Sequence, residues 1–285
     1  MKNLADEVRL RQIRYLRSLK SIEKGWRVWR PLIMETIGEN PSNHSILDLA
    51  DLLSDIFKAT GAPGREQASL SNSGSGWEFL VLWYLNSVLW GSNFVAINQK
   101  RYACPANIAE ALSIHLFDTK VSAGTQILIF NLPSALKDID EYFAFSSSYF
   151  PEVSMLLLES KTNWNDNAQI PMLWDIAYRT GAGPDSGVVL GSEHVSARDF
   201  ASLRYGFVTV PSNKTEYKAT SAPVTRLKAL EGGVYWGHPS KIAVAKSIKE
   251  LPISLLQRSS TDFPEKAFLT DLNQVSDGAK IMLSI

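Results

Sequence analysis

The sequence predicts an α/β protein in which a mixed β-sheet is flanked by helices. Three short apolar runs, at residues 94–97, 126–130 and 153–158, have the length and composition of buried strands. Other segments, among them residues 77–90, place apolar residues at the spacing of a helix that packs on one face. Strand-like and helix-like segments follow one another along the chain, an order typical of an α/β core.

The chain of 285 residues is long enough for one large domain, and we expect residues 1–285 to form one. Apolar residues recur at helical spacing within residues 8–19 and 45–59. This pattern predicts a helical N-terminal subdomain over residues 1–70. The core that holds the strands is predicted to extend from residue 75 to residue 240.

The composition limits the classes of function. With 45% hydrophobic and 20% charged residues, the chain is expected to be a soluble globular protein. Its formal net charge is zero, so that any basic surface must be local. The single cysteine, Cys104, excludes a disulfide framework and a multi-cysteine zinc site, which fits a reducing cytoplasm. The N-terminus lacks the apolar core of a signal peptide, and we predict neither export nor membrane insertion.

The N-terminal segment is locally basic and has two interpretations. It can form a solvated helix face, or it can be an arm that contacts nucleic-acid phosphates, which Lys and Arg neutralise without reading sequence. The basic residues of this segment are Arg9, Arg11, Arg14, Arg17, Lys20, Lys24, Arg27 and Arg30.

Glu78 lies at the start of the predicted helix over residues 77–90 and also has two compatible interpretations. Ser75 and Glu78 have the spacing of a capping box, in which the glutamate bonds back to a backbone amide at the helix start. Glu78 also shares one helix face with Leu82 and Leu85, which would direct its carboxylate inward toward a site.

The apolar run at residues 153–158 ends abruptly in two charged residues, Glu159 and Lys161. Residues two apart on a strand lie on the same face, so this carboxylate and this ammonium group share one space. A polar loop then leads to an apolar pattern at helical spacing over residues 166–179. One interpretation is a surface ion pair followed by a turn and a helix cap. The other is that the pair belongs to a reactive site.

Residues 140–145 are predicted to form a strand that pairs with the following strand as an antiparallel hairpin. The start of the first strand would then lie beside the end of the second, bringing Asp140, or Asp138 just before it, next to Glu159. Glu152 sits at the opposite end of the second strand, about 20 Å or more from Glu159 at roughly 3.3 Å per residue. We therefore rank Asp140 first, Asp138 second and Glu152 third as the acidic partner of Glu159.

Two carboxylates within about 4 to 5 Å of each other bind a hard divalent cation such as Mg²⁺ through oxygen atoms. With Lys161 on the face of Glu159, such a site can polarise a phosphate and position a water molecule for in-line attack. The lysine can also balance the negative charge that develops during the reaction. These residues therefore favour phosphodiester hydrolysis.

The segment around Glu159 and Lys161 resembles the PD-(D/E)XK nuclease motif. The chain is also similar to type II restriction endonucleases in length, in the order of its elements and in the layout of the site. The resemblance implies that Asp140 and Glu159 bind the metal ion and that Lys161 is the catalytic lysine. Glu78 and Asp175 stand where some members carry further acids, on an early helix and on the helix after the lysine. The Pro-Asp pair of the motif is missing at the position that the hairpin requires.

This resemblance implies a Mg²⁺-dependent, sequence-specific endonuclease that cuts double-stranded DNA, with residues 75–240 as the catalytic core of a single nuclease domain. Cutting both strands of a symmetric site implies a homodimer. A restriction enzyme also implies a DNA methyltransferase as its functional partner. Asn, Gln and Arg can make paired hydrogen bonds to purine edges, and Lys contacts phosphates. The candidate DNA contacts are Asn163, Asn165, Gln169, Arg226 and Lys228.

Two other kinds of function stay open. A repair or junction-resolving nuclease would share the core but would respond to DNA structure rather than to a base sequence. A non-catalytic protein, either a partner subunit or a tryptophan-rich carbohydrate binder, would bind its ligand without cutting DNA.

Overall fold

The structure is a computed structural model, which describes residues 3–60, 73–99, 103–117, 119–121, 126–161, 174, 178, 187–209, 218–230, 234–237, 244–251 and 275–285. The helices in these ranges are α1 (Leu4–Arg17), α2 (Lys20–Ile37), α3 (Asn43–Asp48), α4 (Leu53–Lys58), α5 (Ser73–Val88), α6 (Ala106–Ala111), α7 (Ile139–Phe143), α8 (Ala222–Lys228) and α9 (Val275–Ser284). Short 3-10 helices lie at Leu49–Asp51, Ser147–Glu152 and Ala197–Asp199. None of the helices in the described ranges has the length and apolar character that a bilayer span requires.

The strands are β1 (Phe94–Asn98), β2 (Ile114–Leu116), β3 (Thr119–Val121), β4 (Gln126–Asn131), β5 (Ser154–Lys161), β6 (Val188–Leu190), β7 (Ser202–Thr209), β8 (Val234–Gly237) and β9 (Lys246–Ser247). One mixed sheet has the order β1-β4-β5-β7-β8-β9. The pairs β1–β4 and β4–β5 are antiparallel, whereas β5–β7, β7–β8 and β8–β9 are parallel. A second, antiparallel sheet has the order β3-β2-β6. The predicted α/β class with a mixed sheet is therefore confirmed.

Alternate side chains of β5 enter two different parts of the core. Leu156 and Leu158 pack with α5 and the N-terminal helices on one side of the sheet, which we call the α5 face. Met155 and Leu157 pack on the other side in the cluster that contains Trp174, which we call the Trp174 face. Because the middle of β5 is buried on both faces, its sequence is continuously apolar instead of alternating.

The N-terminal helices pack directly against α5. The ring centroid of Trp26 lies 5.5 Å from that of Phe79 and 5.6 Å from that of Trp83. Trp29 stacks on Phe79 with centroids 6.3 Å apart. The helical character predicted for residues 1–70 is confirmed for the part that the structure describes, whereas the division between subdomain and core stays a prediction.

Arg9 joins α1 to strand β1 inside the protein. Its side chain is completely buried, and its guanidinium pairs with Asp6. The same group donates hydrogen bonds to the backbone carbonyl oxygens of Ser92, at 2.8 Å, and of Phe94. Burial lowers the pKa of Arg9 to about 10, so that the group remains charged at neutral pH. This arginine is part of the core and belongs neither to a solvated face nor to a phosphate-binding arm.

Two other arginines of the basic segment are paired on the helix surface. Arg11 donates to Glu7, one turn earlier, at 2.8 Å, and Arg27 donates to Glu23 at 2.6 Å. Such exposed pairs contribute little to the free energy of unfolding. For these two residues, the contacts favour the interpretation of the segment as a solvated helix face.

Candidate active site

Glu159 and Lys161 end strand β5, which lies inside the sheet between β4 and β7. Glu159 is buried, with 2% of its surface exposed, whereas 32% of the Lys161 side chain is exposed. The Nζ atom of Lys161 lies 2.5 Å from Oε1 of Glu159. The structure therefore brings together the two residues for which the sequence predicted a shared space.

The neighbouring strands define what surrounds this pair. Glu159 is opposite Gln126 on β4 and beside Phe207 on β7, and Lys161 is beside Thr209 at the end of β7. The residue opposite Glu159 is therefore a glutamine and not the predicted aspartate. In the parallel part of the sheet, the carboxyl ends of β5 and β7 form one edge, and binding sites of α/β proteins commonly lie at such an edge.

The strand predicted for Asp140 is wrong. These residues form helix α7, and the Asp138 side chain caps it by accepting hydrogen bonds from the backbone N–H groups of Asp140 and Glu141, both at 3.0 Å. The antiparallel partner of β5 is β4, not residues 140–145. The hairpin that would have placed Asp140 or Asp138 beside Glu159 is therefore absent.

Hydrogen bonds of Asn131 show which end of β5 lies beside the point where the chain leaves β4 toward α7. The Asn131 side chain accepts from the N–H of Ser154 at 2.8 Å and donates to the carbonyl oxygen of Glu152 at 2.9 Å. The end of β4 thus lies beside the start of β5, whereas Glu159 lies at the other end of the strand. The prediction that Glu152 lies at the end of β5 opposite to Glu159 is confirmed. The chain leaves β4 beside that same end before it reaches Asp138 and Asp140.

Glu78 is buried on α5 and bonds to a strand residue. Helix α5 begins at Ser73, so that Ser75 lies within the helix and the predicted capping box is wrong. Glu78 is buried as predicted, since only 6% of its surface is exposed, but burial alone does not place it at the site of Glu159. Its carboxylate accepts a hydrogen bond from the side-chain amide of Asn98, the last residue of β1.

The sheet separates Glu78 from Glu159. Asn98 continues the alternation of Ala96, which packs on the α5 face, and its bond to Glu78 is made on that face. Glu159 continues the alternation of Leu157, which packs on the Trp174 face. Both carboxylates lie near the same end of the sheet, but on opposite faces of it.

Several predicted residues lie outside the described residues. Asn163, Asn165, Gln169 and Asp175 belong to this group, and their assignments stay predictions. Trp174, next to Asp175, is completely buried, and its ring centroid lies 6.4 Å from that of Tyr205 on β7.

The basic candidates Arg226 and Lys228 lie on helix α8, which comes between β7 and β8 in the chain. Arg226 is half-buried and Lys228 is exposed. Their role as DNA contacts stays a prediction.

Glu159 is the side chain at this edge that would hold a magnesium ion. Within the described ranges, no three His, Cys, Asp or Glu side chains gather closely enough to bind a metal ion. Mg²⁺ commonly keeps several water ligands and is bound by one or two carboxylates together with substrate phosphates. One buried carboxylate beside a lysine therefore provides the smallest number of protein carboxylates with which Mg²⁺ is commonly bound.

No protein-family model matches this chain, and no curated protein does.

Two residues at this edge were not predicted from the sequence, Asn98 and Thr209. Both are buried polar residues at the end of a strand; β1 is otherwise apolar, whereas β7 also contains Ser202 and Arg204. A buried polar residue after a continuous apolar run is the signal that identified Glu159, and it would also have found Asn98, whereas the mixed composition of β7 gives no such signal for Thr209.

Proposed function

We propose that the protein is a Mg²⁺-dependent endonuclease that hydrolyses phosphodiester bonds of double-stranded DNA. The observation that carries the proposal is the pair of Glu159 and Lys161 at the carboxyl end of an interior strand, with 2.5 Å between Nζ and Oε1. A buried carboxylate can hold a divalent cation, and an ammonium group close to it can bind a phosphate oxygen.

Each residue of the pair has a separate task in this proposal. Glu159 would hold Mg²⁺, which when bound polarises the scissile phosphate and favours ionisation of a water ligand. Lys161 keeps its ammonium group at the solvent side of Glu159, since a third of the lysine side chain is exposed. It would bind a non-bridging phosphate oxygen and stabilise the negative charge that develops there.

The more specific parts of the proposal follow from the resemblance to type II restriction endonucleases. We propose that the protein cuts at a defined base sequence, acts as a homodimer in the cytoplasm and works together with a DNA methyltransferase. A homodimer provides the two active sites that the two strands of a symmetric DNA site need. Arg226 and Lys228 of α8 are candidate DNA contacts, as are Asn163, Asn165 and Gln169.

The test is incubation of the protein with supercoiled plasmid DNA, in Mg²⁺ and in excess EDTA. We expect discrete linear fragments with Mg²⁺ and intact plasmid with EDTA. Cleavage of branched DNA with intact plasmid would favour a junction-resolving nuclease instead. Absence of cleavage on linear, supercoiled and branched DNA in Mg²⁺ or Mn²⁺ would overturn the proposal.

The positions of the two carboxylates on opposite faces give a second prediction. Glu159→Gln is expected to slow cleavage by about 100-fold or more, since it removes the charge that would hold the cation. Glu78→Gln keeps an oxygen that accepts from Asn98, and we expect the free energy of unfolding to change by less than about 1 kcal/mol. Its cleavage rate should stay within about threefold of wild type, because Glu78 lies on the face of the sheet opposite to Glu159.

Single-turnover rates of the two variants on the same DNA, together with urea denaturation, check this pair of expectations. Equal losses in Glu78→Gln and Glu159→Gln would contradict the assignment of the site to the Trp174 face.

A further inference from the structure

Thr209 lies next to Lys161 on the neighbouring parallel strand. Side chains of residues that are paired in a sheet project from the same face, and adjacent strands are about 4.8 Å apart. Thr209 continues the alternation of Tyr205 and Phe207, which pack on the Trp174 face where Glu159 also lies. The hydroxyl of Thr209 is therefore on the same face and at the same edge as the Glu159 and Lys161 pair.

The hydroxyl of Thr209 is buried without a hydrogen bond. Only 1% of the residue is exposed, and Oγ1 has no hydrogen-bond partner in the described part of the protein. A buried hydroxyl in this condition destabilises the fold, so that its presence needs a reason. Valine has nearly the same shape and would fill this position without that penalty.

Among the described residues, Lys161 is paired with Thr209 and carries an ammonium group that can donate to this hydroxyl. An ammonium group has three hydrogens, and within the described residues that of Lys161 pairs with the Oε1 atom of Glu159. The lysine carries this group on a flexible four-carbon chain. Rotation about those bonds can move the ammonium from Glu159 on its own strand toward Thr209 on the next one.

We propose that Thr209 provides a second position for Lys161, which the ammonium group occupies when a divalent cation is bound at Glu159. This inference rests on the proposed function. A divalent cation and an ammonium group compete for the same carboxylate and repel each other, so that Lys161 must leave Oε1. The neutral hydroxyl accepts a hydrogen bond from the lysine without cancelling its charge. Thr209 is thus a positioning residue that keeps Lys161 beside the phosphate.

The first test observes Lys161 itself, without DNA. The Nζ and Cε signals of Lys161 are followed by NMR during addition of Mg²⁺ to wild type, Thr209→Val and Thr209→Ser. With Mg²⁺, we expect wild type and Thr209→Ser to retain an ammonium group in slow exchange with water, whereas Thr209→Val loses it. Identical spectra of Lys161 in wild type and Thr209→Val at saturating Mg²⁺ would overturn the proposal.

The second test measures single-turnover DNA cleavage. A hydrogen bond to a charged group corresponds to a rate loss of about 10- to 100-fold, which is expected for Thr209→Val. Thr209→Ser should restore the rate to within about threefold of wild type because it keeps the hydroxyl. Thr209→Val is also expected to be at least as stable as wild type, since it removes an unsatisfied polar group. Lower activity in an equally stable protein separates positioning from a structural role.

Ser202→Ala is the matched control. Ser202 lies at the opposite end of β7, and its hydroxyl is also buried without a partner in the described residues. We expect this variant to cleave as wild type does. Wild-type protein that cleaves no DNA overturns the proposed function. Wild type and Thr209→Val that cleave at the same rate overturn only the role of Thr209.

Discussion

Lys161→Ala is expected to reduce the rate of DNA cleavage about 100- to 1,000-fold, the range found when one charge-stabilising donor is removed from an active site. The Nζ atom of Lys161 lies 2.5 Å from Oε1 of Glu159, and the lysine side chain is partly exposed. The ammonium group can therefore contact both Glu159 and the substrate. Its loss leaves the negative charge that develops on the phosphate without this cation. Single-turnover cleavage at saturating protein measures the effect on the chemical step.

Lys120→Ala is the control for this substitution. Lys120 also bonds to a glutamate, Glu110, with 2.5 Å between Nζ and Oε2, but it lies on β3 in the second sheet. We expect wild-type cleavage from this variant. Denaturation curves at the assay temperature must show that Lys161→Ala remains folded, since the substitution removes a cation beside the buried Glu159. A folded Lys161→Ala protein with the wild-type rate would refute the mechanism.

Arg9→Ala is expected to lower the free energy of unfolding by about 3–5 kcal/mol, because it removes one partner of a buried ion pair. It leaves the Asp6 carboxylate and the carbonyl oxygens of Ser92 and Phe94 without their buried donor. The free energy of unfolding of natural domains is only about 5–15 kcal/mol, so that this loss is a large part of the total. Urea denaturation followed by tryptophan fluorescence measures it.

Arg11→Ala tests whether burial or mere pairing accounts for that loss. Arg11 pairs with Glu7 at 2.8 Å on the exposed side of the same helix, with 40% of its side chain exposed. An exposed pair of this kind contributes about 0–1 kcal/mol. If both arginine variants lost the same free energy, the structural role assigned to Arg9 would be wrong.

The position of Glu159 and Lys161 could be predicted because the signal is local. Residues 153–158 are buried on both faces of the sheet, and such a strand is continuously apolar until it reaches its end. The first charge in that run marks the end of the strand. The burial of Glu78 could also be predicted from a local pattern, because Glu78 lies at helical spacing from leucines of α5.

The acidic partner of Glu159 could not be predicted because strand pairing is not local. Residues 140–145 have a strand-like pattern, but the Asp138 side chain accepts from two backbone N–H groups and so starts a helix there. The antiparallel partner of β5 is β4, residues 126–131, and between these two strands in the chain lie α7 and a 3-10 helix. A pattern of apolar residues shows that a strand exists but does not show which strand is its neighbour.

The bonds of Arg9 have a consequence for the outer edge of the sheet. β1 is an outer strand of the sheet, and Asn93 directs its carbonyl oxygen to β4 through a bond to the N–H of Leu132. The carbonyl oxygen of Phe94 therefore points outward, where another chain could add a strand. Arg9 occupies that acceptor, and α1 covers the strand. Helix α1 thus hinders edge-to-edge aggregation through β1. Removal of α1 would expose the outer edge of β1, to which strands of other chains can pair.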